Sequence, residues 1–150
     1  MHIENFLKFH TAYVMDKAPA HFPQERSRNS EPQADTLTAV FRIDKFMVPD
    51  DALSAFIEKM TQIQGILRTL PGCLRALTLK QTGGAGEFNV VTFVEWTNAG
   101  AVRDATSTMQ KKFADDGFDP ASFSKSLKVR GDLGFYDAVG GESIGCAEFV

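Results

Sequence analysis

Apolar and polar positions first alternate regularly from residue 37 onwards. One face of this extended stretch carries Leu37, Ala39, Phe41 and Ile43, and the other carries Val40, Arg42, Asp44 and Phe46. Successive side chains of a strand point to opposite faces, so this period of two predicts a first β-strand. Both faces are partly apolar, which predicts that both are covered in the folded protein.

A helix and two further strands follow in the pattern. Pro49 and the two aspartates after it stop the strand and predict a capped helix start. Apolar residues then recur at helical spacing as Leu53, Phe56, Ile57, Met60, Ile63, Leu67 and Leu70. A Pro-Gly pair at residues 71–72 ends this helix. Residues 73–80 and 87–96 predict the second and third strands, with a glycine-rich turn at 82–86 between them.

The second half of the chain repeats the helix-then-strand order. Asn98 predicts the cap of a second helix, whose apolar stripe is Ala99, Val102, Thr106, Met109 and Phe113. Asp119 followed by Pro120 has the sequence of a cap with proline at the first helical position, which predicts a short extra helix over 120–127. Residues 129–139 predict the fourth strand.

The resulting order, βαββαβ, indicates an α+β fold of ferredoxin-like type. In this arrangement two crossover helices cover one face of a four-stranded antiparallel sheet. The other face carries no helix, although the strands are apolar on both sides. A second copy of the chain is the simplest cover for it, so we expect a homodimer formed through the open sheet face.

One domain, residues 37–139, accounts for these elements. Residues 1–36 are expected to form an N-terminal arm, made of a short amphipathic helix and a polar linker with three prolines. Residues 140–150 form a glycine-rich C-terminal tail, which is either frayed or an added edge strand.

Composition narrows the classes of partner and compartment. Thirteen Phe against one Trp and two Tyr indicate a large apolar interior or cavity, and a net charge of -3 argues against nucleic acid as a partner. No apolar run approaches the ~20 residues of a membrane span, and charges within residues 1–20 interrupt any signal peptide. Two cysteines, Cys73 and Cys146, suit a reducing compartment, so we expect a cytoplasmic protein. Whether they ever pair stays open.

Two short segments carry a resemblance to a known family. Residues 70–73 read Leu-Pro-Gly-Cys between helix and strand, and residues 93–96 read Phe-Val-Glu-Trp at the end of the third strand, with a helix about three residues on. Over about residues 37–139 the chain resembles the antibiotic biosynthesis monooxygenase-like family of dimeric α+β barrels. That family includes oxygenases without metal or flavin, haem-degrading enzymes and quinol oxygenases, so the resemblance alone does not fix an activity.

The family's functional residues match this chain at one position. The haem-degrading branch has a histidine ligand on the helix where this chain has Thr106, and the aromatic polyketide branch has an asparagine where it has Thr92. Only Trp96 matches. Since Thr106 is a poor iron ligand, the resemblance implies that the protein binds no haem. We also expect that it binds no other cofactor and no metal.

Candidate catalytic residues follow from what cofactor-free oxygenation needs. The substrate must be an electron-rich phenol or enol whose anion can itself reduce dioxygen, so the protein supplies a dry pocket and donors toward negative charge. Trp96, Arg42 and Tyr136 could donate, and Glu95 or Asp44 could act as base if buried. Expected substrate contacts are Phe41, Phe56, Met60, Thr92, Thr106 and Met109.

These candidates also have structural alternatives. Trp96 could be a packing anchor, Arg42 and Asp44 could pair with each other or with the partner subunit, and Tyr136 could be an interface residue.

Two functions are compatible with this pattern. The first is a small-molecule oxidoreductase, a cofactor-independent monooxygenase acting on a small apolar, aromatic or quinone-like compound. The alternative is a non-catalytic ligand-binding or stress-related dimer. It is favoured by the absence of histidine, paired acids and metal ligands from residues 37–139, since the three histidines all precede residue 37.

Overall fold

The computed structural model describes residues 39–139, so the predicted arm and tail lie outside the described part of the chain. Its elements are β1 (Val40–Met47), α1 (Leu53–Leu67), β2 (Cys73–Lys80), β3 (Val90–Trp96), α2 (Ala99–Asp116), α3 (Pro120–Ser126) and β4 (Arg130–Tyr136). The predicted βαββαβ order is confirmed, including the short extra helix before the last strand.

The four strands form one antiparallel sheet in the order β2-β3-β1-β4. The first and third strands are therefore central, as the split βαββαβ arrangement requires. In this register Asp44 lies opposite Thr92 of β3 and opposite Leu133 of β4. Residues directly opposite in antiparallel strands share a face, so these three side chains lie on one side of the sheet.

Two of the three predicted helix caps are present. The Asn98 side chain accepts a hydrogen bond from the Ala101 N–H at 2.9 Å, and Asp119 accepts from the N–H of Ala121 at 3.2 Å. The aspartates after Pro49 differ from the prediction. Residues 50–52 form a 3-10 turn ahead of α1, and neither aspartate makes a side-chain cap bond. Their remaining contribution to the helix start is the favourable position of negative charge near its N-terminus.

The third strand begins at Val90, three residues later than predicted. Asn89, the residue before this strand, is fixed by two hydrogen bonds to the Val48 backbone. Its side-chain amide accepts from the Val48 N–H and donates to the Val48 carbonyl, both at 2.8 Å. The amide thus satisfies the backbone of Val48 just beyond the end of β1, a connection that strand alternation in the sequence does not reveal.

The turn between α1 and β2 packs directly against the start of α2. Gly72 has a φ of +81°, a region that glycine adopts without steric cost. A Cβ built at Gly72 would lie 2.4 Å from the Ala101 Cβ and 2.8 Å from the Thr97 Oγ1. Both the backbone angle and the close approach therefore require glycine here.

Apolar packing is concentrated between the helices and the sheet. One buried cluster comprises Val48, Ala52, Phe56 and Val90. A second comprises Ala76, Val94, Trp96 and Ala105. Residues of both clusters also line a cavity, so the core and the candidate site are built from the same layer. None of the helices in residues 39–139 is long and apolar enough to cross a membrane.

The opposite face of the sheet mixes apolar side chains with ion pairs. Leu77 is 38% exposed and Leu79 47% exposed on β2, and Tyr136 is 43% exposed on β4. Lys45 and Asp132 pair across β1 and β4 at 2.8 Å. Within the described residues this face is the open side of the sheet.

Candidate functional site

A cavity of about 270 Å³ lies between the sheet and the helices. Side chains at alternate positions of β1 and β3 form its floor, among them Arg42, Asp44, Thr92 and Trp96. Successive side chains of a strand point to opposite faces, so these residues point toward the helices and their sequence neighbours point away. The helices cover this floor mainly with apolar side chains, including those of Phe56, Met60 and Met109.

Seven of the nine residues selected from the sequence line this cavity. They are Arg42, Trp96, Phe56, Met60, Thr92, Thr106 and Met109. The other two, Phe41 and Tyr136, face each other across β1 and β4 and do not line it. Phe41 is one residue from Arg42 on the same strand, so the two side chains point to opposite faces. Any role of Phe41 or Tyr136 belongs to the open face of the sheet.

The charged part of the cavity wall is one ion pair. The Arg42 Nε donates to Asp44 Oδ2 at 2.8 Å, and the Arg42 guanidinium lies 5.4 Å from the centre of the Phe135 ring. The pairing of Arg42 with Asp44 that the sequence left as an alternative is thus present. Among the described residues that line the cavity, no other side chain carries a charge.

Asp44 is 7% exposed, and the pair with Arg42 occupies only one of its oxygens. Oδ1 is buried, and no side chain of the described residues bonds to it. Burial raises the pKa of Asp44, and neither the charge and hydrogen bond of Arg42 nor a backbone hydrogen bond from Gly134 outweighs that effect. Because a raised pKa means stronger affinity for a proton, Asp44 is a better base than a solvated aspartate.

Gln64 is a buried polar cavity residue that sequence reasoning missed. It is 3% exposed, and its Oε1 is buried without a hydrogen-bond partner among residues 39–139. Its signal was present in the sequence, because Gln64 follows Phe56 and Met60 at steps of four residues on α1. A polar residue continuing the apolar line of a helix is a candidate for an interior hydrogen bond.

The position that corresponds to the haem-ligating histidine is occupied by a threonine already engaged within its helix. The Thr106 Oγ1 donates to the Val102 carbonyl at 2.8 Å. This arrangement does not fit an iron ligand at that position. Within residues 39–139, no three histidine, cysteine, aspartate or glutamate residues come together as a potential metal site.

Cys73 does not have the surroundings of a reactive thiolate. It is a free cysteine, and burial raises the pKa of its thiol. The other cysteine, Cys146, lies outside the described residues, so whether the two ever pair stays open.

The fold and the cavity define a ferredoxin-like α+β domain with a largely apolar cavity between sheet and helices. The model of the antibiotic biosynthesis monooxygenase family matches residues 39–114, half of the chain. The chain belongs to this family, as the residues around Gly72 and Trp96 suggested. Comparison with curated protein sequences gives no match.

Solved structures support the fold. A candidate monooxygenase from Shewanella loihica superimposes with a TM-score of 0.53 at 17% identity, covering 70% of this chain and 98% of its own. A candidate antibiotic biosynthesis monooxygenase from Deinococcus radiodurans gives 0.52 at 21% identity, covering 70% and 95%. A mutant of SnoaB, a cofactor-independent oxygenase from Streptomyces nogalater, gives 0.50 at 20% identity, covering 71% and 98%. At 17–21% identity, the similarity to these structures shows a shared fold and nothing more specific.

Proposed function

We propose that this protein is a cofactor-independent monooxygenase that converts a small hydroxylated aromatic compound into a quinone. The observation that carries the proposal is the composition of the cavity wall. A mostly apolar enclosure surrounds one Arg42–Asp44 pair and the buried Trp96. An aromatic ring fits the apolar part, and a developing anion is stabilised by the guanidinium and the indole N–H.

The reaction that suits this wall uses the substrate itself as the reductant of dioxygen. A hydroxylated ring loses its hydroxyl proton, and the anion transfers one electron to dioxygen. The resulting superoxide and ring radical combine to form a carbon–oxygen bond, and the peroxide takes up the proton that the hydroxyl released to become a hydroperoxide. Loss of water from the hydroperoxide gives the second carbonyl. In balance, one phenol and one dioxygen give one quinone and one water, so two hydrogens leave the ring and one oxygen enters it.

Exclusion of water is the main contribution of the apolar residues to this reaction. In a dry enclosure the attraction between Arg42 and a substrate anion is stronger than in bulk solvent. Trp96 is 3% exposed and presents both an apolar surface and a hydrogen-bond donor. The protein thus supplies a base, a cation and a donor without an added group.

We also propose that two chains pair through the open sheet face. The exposed leucines of β2 and the exposed Tyr136 give this face an apolar content that is costly to leave in water. Phe41 and Phe93 pack together on it, with ring centres 5.9 Å apart. Because this face is opposite to the cavity wall, pairing through it leaves the lining residues in place.

An oxygen electrode tests the catalytic proposal directly. Purified protein in buffer with a metal chelator and no added cofactor is given a panel of one- to three-ring phenols. We expect uptake of one dioxygen per quinone formed, above the rate of the same compounds without protein. Heat-denatured protein is the control for autoxidation.

The alternative of a non-catalytic binding protein predicts a different result in the same panel. Compounds from the panel would bind, as measured by quenching of the Trp96 fluorescence, while oxygen uptake stayed at the uncatalysed rate for all of them. That outcome would contradict the monooxygenase proposal and favour the binding function.

A further inference from the structure

The outer side of β2 is a free edge of the sheet within the described part of the chain. The strand order β2-β3-β1-β4 places β2 at one end, with a neighbour on one side only. A free edge presents backbone N–H and C=O groups with which another strand can pair. Between Arg75 and Lys80 this strand reads Ala-Leu-Thr-Leu and carries no charge. An uncharged, partly apolar edge of this kind is prone to pair with another chain.

The hydrogen-bonding pattern of β2 shows which backbone groups point outward. The Gln81 N–H donates to the Asn89 carbonyl at 2.9 Å, just beyond the last paired residues of β2 and β3. Hydrogen-bonded pairs alternate along an antiparallel ladder, so Leu79 and Leu77 also bond to β3. The residues between them direct their N–H and C=O groups to the free edge. They are Ala76, Thr78 and Lys80.

One of these outward groups is occupied by a charged side chain. The Arg68 Nε donates to the Ala76 carbonyl at 2.9 Å. Arg68 directly follows α1, and its backbone N–H donates to the Gln64 carbonyl at 3.1 Å, so the helix end fixes its position. The guanidinium therefore lies where an added strand would place its own N–H. Hydrogen bonds from a charged donor are stronger than those between neutral groups.

We propose that Arg68 closes the outer edge of β2 to a second copy of the chain. The strand excluded is β2 of that copy, because two identical antiparallel strands related by a two-fold axis present the same groups to each other. Pairing would displace the guanidinium in both copies and replace two charge-assisted hydrogen bonds with neutral ones. This inference concerns assembly and does not depend on the monooxygenase function.

The side chains of β2 explain why its edge needs protection. Leu74 is 59% exposed, and Leu77 and Leu79 are 38% and 47% exposed. The register shifts between Cys73 and Arg75, which distorts the start of the strand and leaves residues 76–80 as its regular part. Arg68 binds the first outward carbonyl of this regular part. A charged side chain at a strand edge is a common protection against edge-to-edge association.

The first experiment measures self-association by sedimentation as a function of protein concentration. Arg68→Met keeps a long unbranched side chain and removes both the donor and the charge. We expect it to associate beyond the wild-type state at concentrations on the order of 10-fold lower than wild type requires, because no hydrogen bond has to be broken. Arg103→Met is the matched control, since Arg103 is exposed on α2 and its loss changes the net charge equally. Equal association of the two variants would contradict the proposal.

The second experiment locates the contact by amide hydrogen exchange, measured residue by residue with NMR. In associated Arg68→Met the outward amides of Thr78 and Lys80 should exchange on the order of 10-fold more slowly than in the dissociated protein, because an added strand would bond them. The amides of Leu77 and Leu79 should change little, since both already bond to β3. Pairing through the open sheet face buries side chains and uses none of these outward groups. Association without protection of Thr78 and Lys80 would therefore overturn the proposal.

A measurement on the wild-type protein keeps the test independent of whether a variant folds. The Thr78 and Lys80 amides should exchange faster than those of Leu77 and Leu79, as a closed but unpaired edge requires. Slow exchange of both outward amides would mean that a strand already occupies this edge, which would contradict the role given to Arg68.

A conservative variant separates the charged donor from the shape of the side chain. Arg68→Lys keeps the charge and a donor at the end of a long side chain, so it should associate no more than wild type. Association of Arg68→Lys to the same extent as Arg68→Met would contradict closure of the edge by a charged donor.

Discussion

Trp96 combines two roles that a single substitution can separate. It is 3% exposed within an apolar cluster and also borders the cavity. Trp96→Phe keeps an aromatic ring for packing but removes the N–H donor. We expect a folded protein whose affinity for a hydroxylated aromatic ligand falls by roughly fivefold, the equivalent of one hydrogen bond of ~1 kcal/mol.

Thermal unfolding and ligand titration of Trp96→Phe decide between these roles. A midpoint close to the wild-type value with weaker binding supports the site assignment. A large loss of thermal stability with unchanged affinity would show that Trp96 serves packing alone.

Burial of Asp44 also predicts how stability varies with pH. Because burial raises the pKa of Asp44, the folded chain holds a proton at pH values where the unfolded chain has released it. The free energy of unfolding should therefore fall as pH rises from the ordinary aspartate pKa through the raised value, and then level off. Each unit by which the pKa is raised corresponds to about 1.4 kcal/mol.

Urea unfolding of wild type and Asp44→Asn between about pH 4 and 7 measures this effect. As pH rises, the wild-type protein should lose stability relative to Asp44→Asn, since asparagine does not ionise. Asp104→Asn should follow the wild-type curve, because that aspartate is exposed. A wild-type advantage that grows with pH would show that Arg42 stabilises the ionised carboxylate more than burial destabilises it.

At the scale of elements, the junction between the α1–β2 turn and α2 is the most constrained. Gly72→Ala would place a Cβ 2.4 Å from that of Ala101 and would strain a backbone with φ of +81°. We expect a loss of about 1–3 kcal/mol in the free energy of unfolding, from overpacking and strain together.

A second glycine provides the matched control for this substitution. Gly65 lies within α1, and a Cβ there meets nothing within 4 Å. Gly65→Ala should therefore stabilise the protein by up to about 1 kcal/mol through helix propensity. Equal effects of the two substitutions in denaturant unfolding would contradict the steric argument at Gly72.

Elements with strong local signals were predictable, and those set by distant contacts were not. The strand alternation around Arg42 and the caps at Asn98 and Asp119 depend on neighbours in sequence. The late start of β3 depends on the bond between Asn89 and Val48, which are 41 residues apart. Gln64 and Tyr136 show the same limit in the site, because the topology decides which polar side chain enters the cavity.

At the scale of the whole molecule, the open sheet face predicts pairing of two chains. Light scattering after gel filtration at micromolar concentration should give twice the chain mass of 16.5 kDa. Leu77→Glu, which places a charge within this face, should shift the protein toward monomer. A monomeric wild-type protein would contradict the assignment and require another cover for the face.

Absence of a bound chromophore is a prediction for the purified protein as a whole. Thr106 offers a hydroxyl already bonded to Val102 where a haem ligand would be needed, so added haem should give no histidine-ligated Soret band. An absorbance spectrum and elemental analysis check for haem, flavin and metal together. A stoichiometric chromophore or transition metal would overturn the cofactor-free chemistry.

The strict alternation of β1 gives one strand two independent tasks. Arg42 and Asp44 serve the cavity, while Phe41 and Lys45 belong to the open face. Substitutions at neighbouring positions of the same strand can therefore change substrate preference without changing assembly, or the reverse. With two chains paired as proposed, this separation allows the cavity lining to change while the paired face stays the same. A shift of one residue in strand register would exchange the two sets of side chains, so natural insertions within β1 should be strongly selected against.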